Sequence, residues 1–151
     1  MPLYLDTSVL VALIEDEPTR PLFDDLLRPG RDTIVVSDFS IAETSGALGA
    51  LWRADRRRPD VATAEFARLD QWTGHFSSRV HVDRNDITAA TEFVRLPDIA
   101  LRAPDAIHIA AAHRLGATLL TLDRGMARAA AALGVPYLNP AEAEALGEPK
   151  D

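Results

Sequence analysis

Leu3-Tyr4-Leu5-Asp6-Thr7-Ser8 is the stretch that decides the predicted fold. Three apolar or aromatic residues are followed directly by a carboxylate and two hydroxyls. A short apolar run that ends in this way is typical of a buried parallel strand with polar groups at its carboxyl end. In open α/β sheets, functional groups collect at that edge. The stretch therefore predicts a parallel sheet with a functional edge that begins at Asp6.

Three further acidic residues occupy comparable places in the sequence. Glu43 lies in the second turn of a long helix that follows a β-branched strand, and Asp105 opens an alanine-rich helix. Asp123 directly follows the apolar strand 117–122. Because the carboxyl ends of parallel strands meet at one edge, we expect these three carboxylates and Asp6 to converge.

The alternation of short apolar runs with amphipathic segments predicts a single α/β domain, in which a central parallel sheet of about five strands is flanked by helices. The domain spans residues 1–140, and an acidic C-terminal tail that forms a short fraying helix spans 141–151. The expected strands are 3–5, 33–36, 80–82, 117–122 and, at the sheet edge, 134–138. The expected helices are 7–14, 20–27, 38–56, 60–76, 86–96, 104–115 and 124–133, with Asn85-Asp86 capping the fifth of them.

Composition limits the classes of function. The chain has 151 residues, no cysteine and a formal net charge of −7, which suits one domain without disulfides or cysteine-based metal sites. There is no signal-peptide pattern and no apolar run of the roughly 20 residues that a membrane span needs, so we expect a soluble, cytoplasmic protein. The negative charge argues against a protein that coats nucleic acid, but not against a nuclease with local arginines.

Four converging carboxylates indicate a metal site. At a separation of about 5 Å and an effective dielectric of about 20, each pair of carboxylates repels by roughly 3 kcal/mol. The only lysine in the chain is Lys150, so lysines do not relieve this repulsion. Mg²⁺ or Mn²⁺ prefers such oxygen ligands and supports phosphodiester hydrolysis. Thr7 and Ser8 are expected either to hydrogen-bond Asp6 or a water beside the metal, or to cap the first helix.

Several other side chains allow two interpretations. Each of the four acids, taken alone, also fits a cap or a favourable charge at a helix start. His108 lies one turn after Asp105 and is interpreted as a buried, hydrogen-bonded histidine, with a contact to phosphate or to an acid as the alternative. Arg124 fits either a phosphate contact or a surface position. The basic run 53–58 fits a solvated helix end, or a contact to RNA or a partner.

The aromatic and remaining histidine side chains favour structural roles. Trp52 and Trp72 are interpreted as core or protomer contacts rather than base-stacking platforms. His75 and His81 have no partners at ligand spacing, so both are interpreted as structural.

The order of four motifs resembles the PIN domain, and most closely the VapC-type toxin ribonucleases of type II toxin–antitoxin systems. The motifs are Leu5-Asp6-Thr7-Ser8, Ile41-Ala42-Glu43, Pro104-Asp105-Ala106-Ile107-His108 and Leu120-Thr121-Leu122-Asp123. The resemblance implies that Asp6, Glu43, Asp105 and Asp123 form an acidic quartet that binds Mg²⁺ or Mn²⁺ and cleaves RNA endonucleolytically. It also implies a homodimer and a VapB-type antitoxin whose C-terminal segment blocks the acidic groove.

Other families and functions fit less well. A response-regulator receiver needs a lysine at a later strand end, and a haloacid-dehalogenase-like phosphatase needs an aspartate where this chain has Ser8. A non-enzymatic PIN-like scaffold is disfavoured because no acidic position of the quartet is missing. A housekeeping PIN nuclease without an antitoxin remains the main alternative.

Overall fold

A computed structural model describes residues 1–145 of the chain. Its strands are Leu3–Leu5 (β1), Ile34–Ser37 (β2), Ser78–Val80 (β3), Thr118–Leu120 (β4) and Tyr137–Leu138 (β5). Its helices are Thr7–Glu15 (α1), Pro21–Asp24 (α2), Asp38–Ala54 (α3), Pro59–Phe76 (α4), Arg84–Val94 (α5), Ala103–Arg114 (α6), Arg124–Ala132 (α7) and Pro140–Ala145 (α8). The described residues contain no helix that is both long and apolar enough to cross a membrane.

The five strands form one parallel sheet in the order β3-β2-β1-β4-β5. Strand β1 lies at the centre, where Tyr4 pairs with Val35 of β2 on one side and with Leu119 of β4 on the other. All carboxyl ends therefore point the same way, so Asp6, the start of α3 and Asp123 lie along one edge. The predicted α/β class, the parallel sheet and the edge position of the last strand are confirmed.

Side chains of each strand alternate between two hydrophobic clusters, one on each face of the sheet. Leu3 and Leu5 of β1 pack with α1 and α2 in one cluster, whereas Tyr4 packs with residues of α6 and α7 in the other. Both faces are covered, which explains why the central strands are apolar throughout. Tyr4 is the polar exception in β1, and its hydroxyl is fully buried.

An ion pair between a buried aspartate and a partly exposed arginine joins α5 to α6. Asp86 is 2% exposed, and its two carboxylate oxygens accept hydrogen bonds from Nε and Nη2 of Arg114 at 2.8 and 2.9 Å. Asp83 lies 3.2 Å from the same guanidinium and caps α5 by accepting from the backbone N–H groups of Asn85 and Asp86. The cap thus lies two residues before the predicted Asn85.

Several element boundaries differ from the prediction. Strand β3 is Ser78–Val80 rather than 80–82, because the backbone N–H of Val82 leaves the sheet and donates to Asp38 Oδ1 at 3.0 Å. Helix α2 stops at Asp24 instead of residue 27, and β4 is shorter than 117–122 at both ends. Part of the predicted tail forms α8, and its remainder, 146–151, lies outside the described residues.

Candidate active site

Asp6 is the most deeply buried of the four acidic side chains. It directly follows β1, is 1% exposed and caps α1. Its Oδ1 accepts from the Ser8 hydroxyl at 2.6 Å and from the Val9 N–H at 3.1 Å, and its Oδ2 accepts from the Thr121 hydroxyl at 2.6 Å. Burial raises the pKa of Asp6, and these hydrogen bonds oppose the rise. The surrounding donors fix both oxygens in place.

The same hydroxyls join the end of β1 to the end of β4. Thr121 Oγ1 accepts from the Asp123 N–H at 2.9 Å, and Ser8 Oγ accepts from the Leu122 N–H at 2.9 Å. Asp123 in turn caps α7, because its Oδ1 accepts from the Met126 N–H at 2.9 Å. The Thr121 hydroxyl therefore donates to Asp6 and accepts from the backbone N–H of Asp123.

Asp105 and Asp123 line one open cleft of about 330 Å³, together with Arg102 and Met126. The Asp105 side chain is 18% exposed, and Oδ2 lies 3.5 Å from Nε of Arg102. Burial raises the pKa of Asp105; Arg102 opposes this rise and the Asp123 carboxylate adds to it. A Cβ atom at Gly125 would lie only 3.1 Å from Asp123 Oδ1, so the glycine leaves this carboxylate room in the cleft.

Glu43 lies in the second turn of α3, as predicted, and its side chain is 30% exposed. Its Oε1 accepts from Nε2 of His108 at 2.5 Å and from the Thr7 hydroxyl at 2.8 Å. The hydrogen bond from His108 holds the pKa of Glu43 below its ordinary value, so the carboxylate is ionised. Thr7 follows Asp6 in the chain, so this contact places Glu43 beside the end of β1.

His108 is buried and hydrogen-bonded, as the sequence predicted. It is 1% exposed, and its second ring nitrogen, Nδ1, lies 2.9 Å from the Tyr4 hydroxyl. The Tyr4 hydroxyl also lies 2.7 Å from the Ser37 hydroxyl. Burial raises the pKa of Tyr4 to about 12, so the phenol stays protonated. Both interpretations of His108 therefore hold, since the buried ring also contacts an acid.

The structure brings the predicted acids to one edge of the sheet but does not gather them into a ready metal cluster. Asp105 and Asp123 share a cleft, Thr121 links Asp6 to Asp123, and Thr7 links Glu43 to β1. Among residues 1–145, no three Asp, Glu or His side chains are arranged to hold an ion. The physical reason is that protein donors already occupy oxygens of Asp6 and Glu43.

The donor set nevertheless fits a hard divalent cation. It consists of carboxylates, and two of them lie in an open cleft where they repel each other. Mg²⁺ and Mn²⁺ prefer such oxygen ligands and commonly need only one or two carboxylates, with water completing their coordination. Asp105 and Asp123 are therefore the residues that would hold such a cation first, with Asp6 and Glu43 as the other carboxylates of the same edge.

Sequence reasoning missed three polar side chains near the edge: Tyr4, Ser40 and Thr121. All three are buried. A signal was present, because a hydroxyl in an otherwise apolar buried strand requires a hydrogen-bond partner. Tyr4 in β1, and Thr121 two residues before Asp123, each met that condition.

The ambiguous side chains elsewhere favour structural roles. Arg57 of the basic run donates to Glu15 and Glu65, so this arginine is engaged within the molecule. Trp72 packs against the core, in agreement with the prediction. His81 differs from the structural interpretation, because its side chain is 93% exposed and contacts Asp38, at 3.3 Å.

Several solved structures share this fold. FitAcB from Neisseria gonorrhoeae superposes with a TM-score of 0.73 at 19% identity and covers 91% of this chain and 97% of that one. VapBC2 from Rickettsia felis, bound to a promoter DNA fragment, gives 0.68 at 16% identity and covers 92% and 98%. Mycobacterium tuberculosis VapC20, described as a sarcin-ricin loop cleaving toxin, gives 0.65 at 19% identity and covers 84% and 94%.

The sequence itself gives a family match. No curated protein matches it significantly, but the profile of the PIN domain matches residues 3–132. This range contains the whole edge described above, from β1 through α7. The chain therefore belongs to the PIN domain family.

Proposed function

We propose that this protein is a divalent-metal-dependent endoribonuclease and the toxin of a VapBC-type toxin–antitoxin pair. The observation that carries the proposal is the open cleft that both Asp105 and Asp123 line, joined to the buried Asp6 through Thr121. Burial and like charge raise the pKa of Asp105 in that cleft. Such a perturbed carboxyl group at the carboxyl edge of a parallel sheet is a typical functional feature.

Asp6, Glu43, Asp105 and Asp123 are the residues that would hold Mg²⁺ or Mn²⁺. When bound, such an ion supplies positive charge to a phosphodiester and lowers the pKa of an attacking water. Asp105 and Asp123 line the open cleft, whereas Ser8 and Thr121 hold Asp6 in a fixed orientation. The Arg102 side chain is 82% exposed at the rim of the cleft, where its guanidinium is positioned to contact a phosphate of the RNA.

The direct test is RNA cleavage by the purified protein with and without a divalent metal. We expect cleavage with Mg²⁺ or Mn²⁺ and none in excess chelator, because four carboxylates without a cation repel the phosphate. Electrophoresis of labelled RNA measures the products, and renewed addition of metal after chelation serves as the control. Undiminished cleavage in excess chelator would contradict the proposed mechanism.

The proposed partner is a VapB-type antitoxin, which the fold shared with VapBC and FitAB proteins supports. Expression of this chain alone is expected to arrest bacterial growth, and co-expression of a small gene encoded just upstream is expected to relieve the arrest. An Asp105→Asn variant expressed at the same level is the control and should not arrest growth. If neither growth arrest nor such a gene is found, the result would favour a housekeeping PIN nuclease without an antitoxin.

We also propose that the protein is cytoplasmic and forms a homodimer. Sedimentation of the purified protein tests the oligomeric state. The alternative without enzymatic activity is a PIN-like scaffold that binds RNA or protein. Binding of RNA without cleavage under any metal condition would favour that scaffold over the nuclease.

A further inference from the structure

A buried chain of hydrogen bonds leads from the interior of the sheet to Glu43. It runs from Ser37 at the end of β2 through Tyr4 of β1 to His108 of α6, and ends at Glu43 of α3. The first three side chains are each no more than 1% exposed. The proposed reaction uses only Glu43. The roles of the three buried side chains behind it therefore need an explanation.

The donors and acceptors along this chain can be assigned from the groups at its two ends. Ser40 Oγ donates to the Leu5 carbonyl oxygen at 3.0 Å, and the Ser40 N–H donates to Ser37 Oγ at 3.0 Å. The Ser37 hydroxyl hydrogen can then donate to the Ser40 oxygen at 3.0 Å or to the Tyr4 oxygen at 2.7 Å, and we assign it to the shorter contact, with Tyr4. Tyr4 then directs its own hydrogen to Nδ1 of His108 at 2.9 Å.

The other end requires the same direction. Glu43 Oε1 already accepts from the Thr7 hydroxyl at 2.8 Å, so Nε2 of His108, which lies 2.5 Å from the same oxygen, is assigned as the second donor. A histidine ring that accepts at Nδ1 and donates at Nε2 satisfies both contacts at once. The ring is also held by aromatic neighbours, since its centroid lies 5.0 Å from that of Phe39 and 5.8 Å from that of Tyr4.

We propose that Tyr4 and His108 are positioning residues: the Tyr4 hydroxyl fixes the Nε2–H tautomer of His108, and this tautomer holds Glu43 at the carboxylate edge. Without the phenol hydrogen, Nδ1 has no donor closer than Ser40 Oγ at 3.5 Å, and the ring can exchange to the Nδ1–H tautomer. That tautomer would turn a lone pair towards the Glu43 carboxylate and repel it. The inference rests on the proposed function only in placing Glu43 among the metal-holding residues.

The test begins with nitrogen-15 NMR of the histidine rings in the metal-free full chain at mildly alkaline pH. The signal that disappears in His108→Gln identifies His108, and we expect shifts typical of the Nε2–H tautomer. In Tyr4→Phe we expect a mixture of tautomers. The matched control is Tyr137→Phe, which removes the same hydroxyl from a tyrosine that is 38% exposed in β5 and should leave the signal unchanged.

The second measurement is Mn²⁺ affinity by electron paramagnetic resonance. Loss of a hydrogen-bond partner behind a ligand typically weakens metal binding by about 10- to 100-fold, and we expect this loss for Tyr4→Phe and His108→Leu. His108→Gln keeps an amide N–H near the position of Nε2 and should bind Mn²⁺ more tightly than His108→Leu does. A role confined to packing would not be rescued in this way.

The outcomes separate the two proposals. An Nδ1–H tautomer or a charged ring in the wild type, or an unchanged tautomer and Mn²⁺ affinity in Tyr4→Phe, overturns the positioning role. If the wild type shows the Nε2–H tautomer but neither binds Mn²⁺ nor cleaves RNA, the metal-dependent nuclease fails while the tautomer assignment stands. The wild-type tautomer is measured without Tyr4→Phe, so an Nδ1–H ring in the wild type would overturn the positioning role even if Tyr4→Phe did not fold.

Discussion

Replacement of Asp105 by asparagine is expected to abolish RNA cleavage and, at the same time, to raise the melting temperature of the metal-free protein. Cleavage should fall by roughly 10²- to 10³-fold or more, because the variant loses one of the two accessible charges in the cleft. Stability should rise by roughly 0.5–1 kcal/mol, because burial and Asp123 disfavour the ionised form of Asp105. Activity and stability would thus change in opposite directions.

The stability gain of Asp105→Asn should depend on pH with a defined sign. The pKa of Asp105 in the folded protein is above its ordinary value of 3.8. The folded state therefore binds the proton more tightly than the unfolded state, and wild-type stability is lost as the pH rises from 3.8 through the folded pKa. The difference in melting temperature between variant and wild type should be present at neutral pH and vanish below 3.8.

Asp60→Asn is the matched control for that experiment. Asp60 also lies in the first turn of a helix, but its side chain is 65% exposed. Its replacement removes the same favourable interaction with the helix dipole and should lower stability slightly, with cleavage unchanged. Retained cleavage in Asp105→Asn, or a lower melting temperature at neutral pH, would be incompatible with a strained carboxylate that serves catalysis.

Replacement of Arg114 by leucine is expected to destabilise the protein by about 3 kcal/mol. The substitution leaves the buried carboxylate of Asp86 without its two-point partner, and an unpaired buried charge costs far more than an exposed one. For a chain of this length the melting temperature should fall by roughly 6–12 °C. Urea unfolding followed by the fluorescence of Trp52 and Trp72 measures the change in free energy.

Arg58→Leu provides the comparison, because Arg58 pairs with Asp60 at 3.1 Å but is 80% exposed. Its replacement should change stability by less than about 0.5 kcal/mol. Adding Asp86→Asn to Arg114→Leu should recover part of the loss, since the stranded charge is then removed. A single Arg114→Leu variant as stable as the wild type would show that the pair does not hold α5 against α6.

The fold was predictable wherever burial alone determines the pattern. The apolar stretches of β1, β2 and β4 are covered on both faces, so their composition identified them as central parallel strands. Strand β3 was misplaced by two residues because it lies at the sheet edge with exposed side chains. At this edge, the apolar residues Val80 and Val82 did not indicate which residues pair with β2. The strand ends where Asp38 of α3 accepts the backbone N–H of Val82.

The candidate site was predictable in position but not in its contacts. Carboxylates at strand ends and helix starts indicated which edge of the sheet to examine. The pairing of Glu43 with His108 joins residues 65 positions apart, and it depends on the relative placement of α3 and α6, which no local pattern contains. For the same reason, sequence patterns did not reveal that Thr121, at the end of the neighbouring strand β4, supports Asp6.

The central position of β1 has a consequence for synthesis of the protein on the ribosome. Tyr4 of β1 pairs with Leu119 of β4. Strand β1 is therefore synthesised early but cannot pair with β4 until most of the chain has been made. At about 5–20 residues per second, that delay is roughly 6–23 s. Asp6 also waits for Thr121. A growing polypeptide therefore carries an incomplete acidic edge, and this edge is completed only after translation has passed β4.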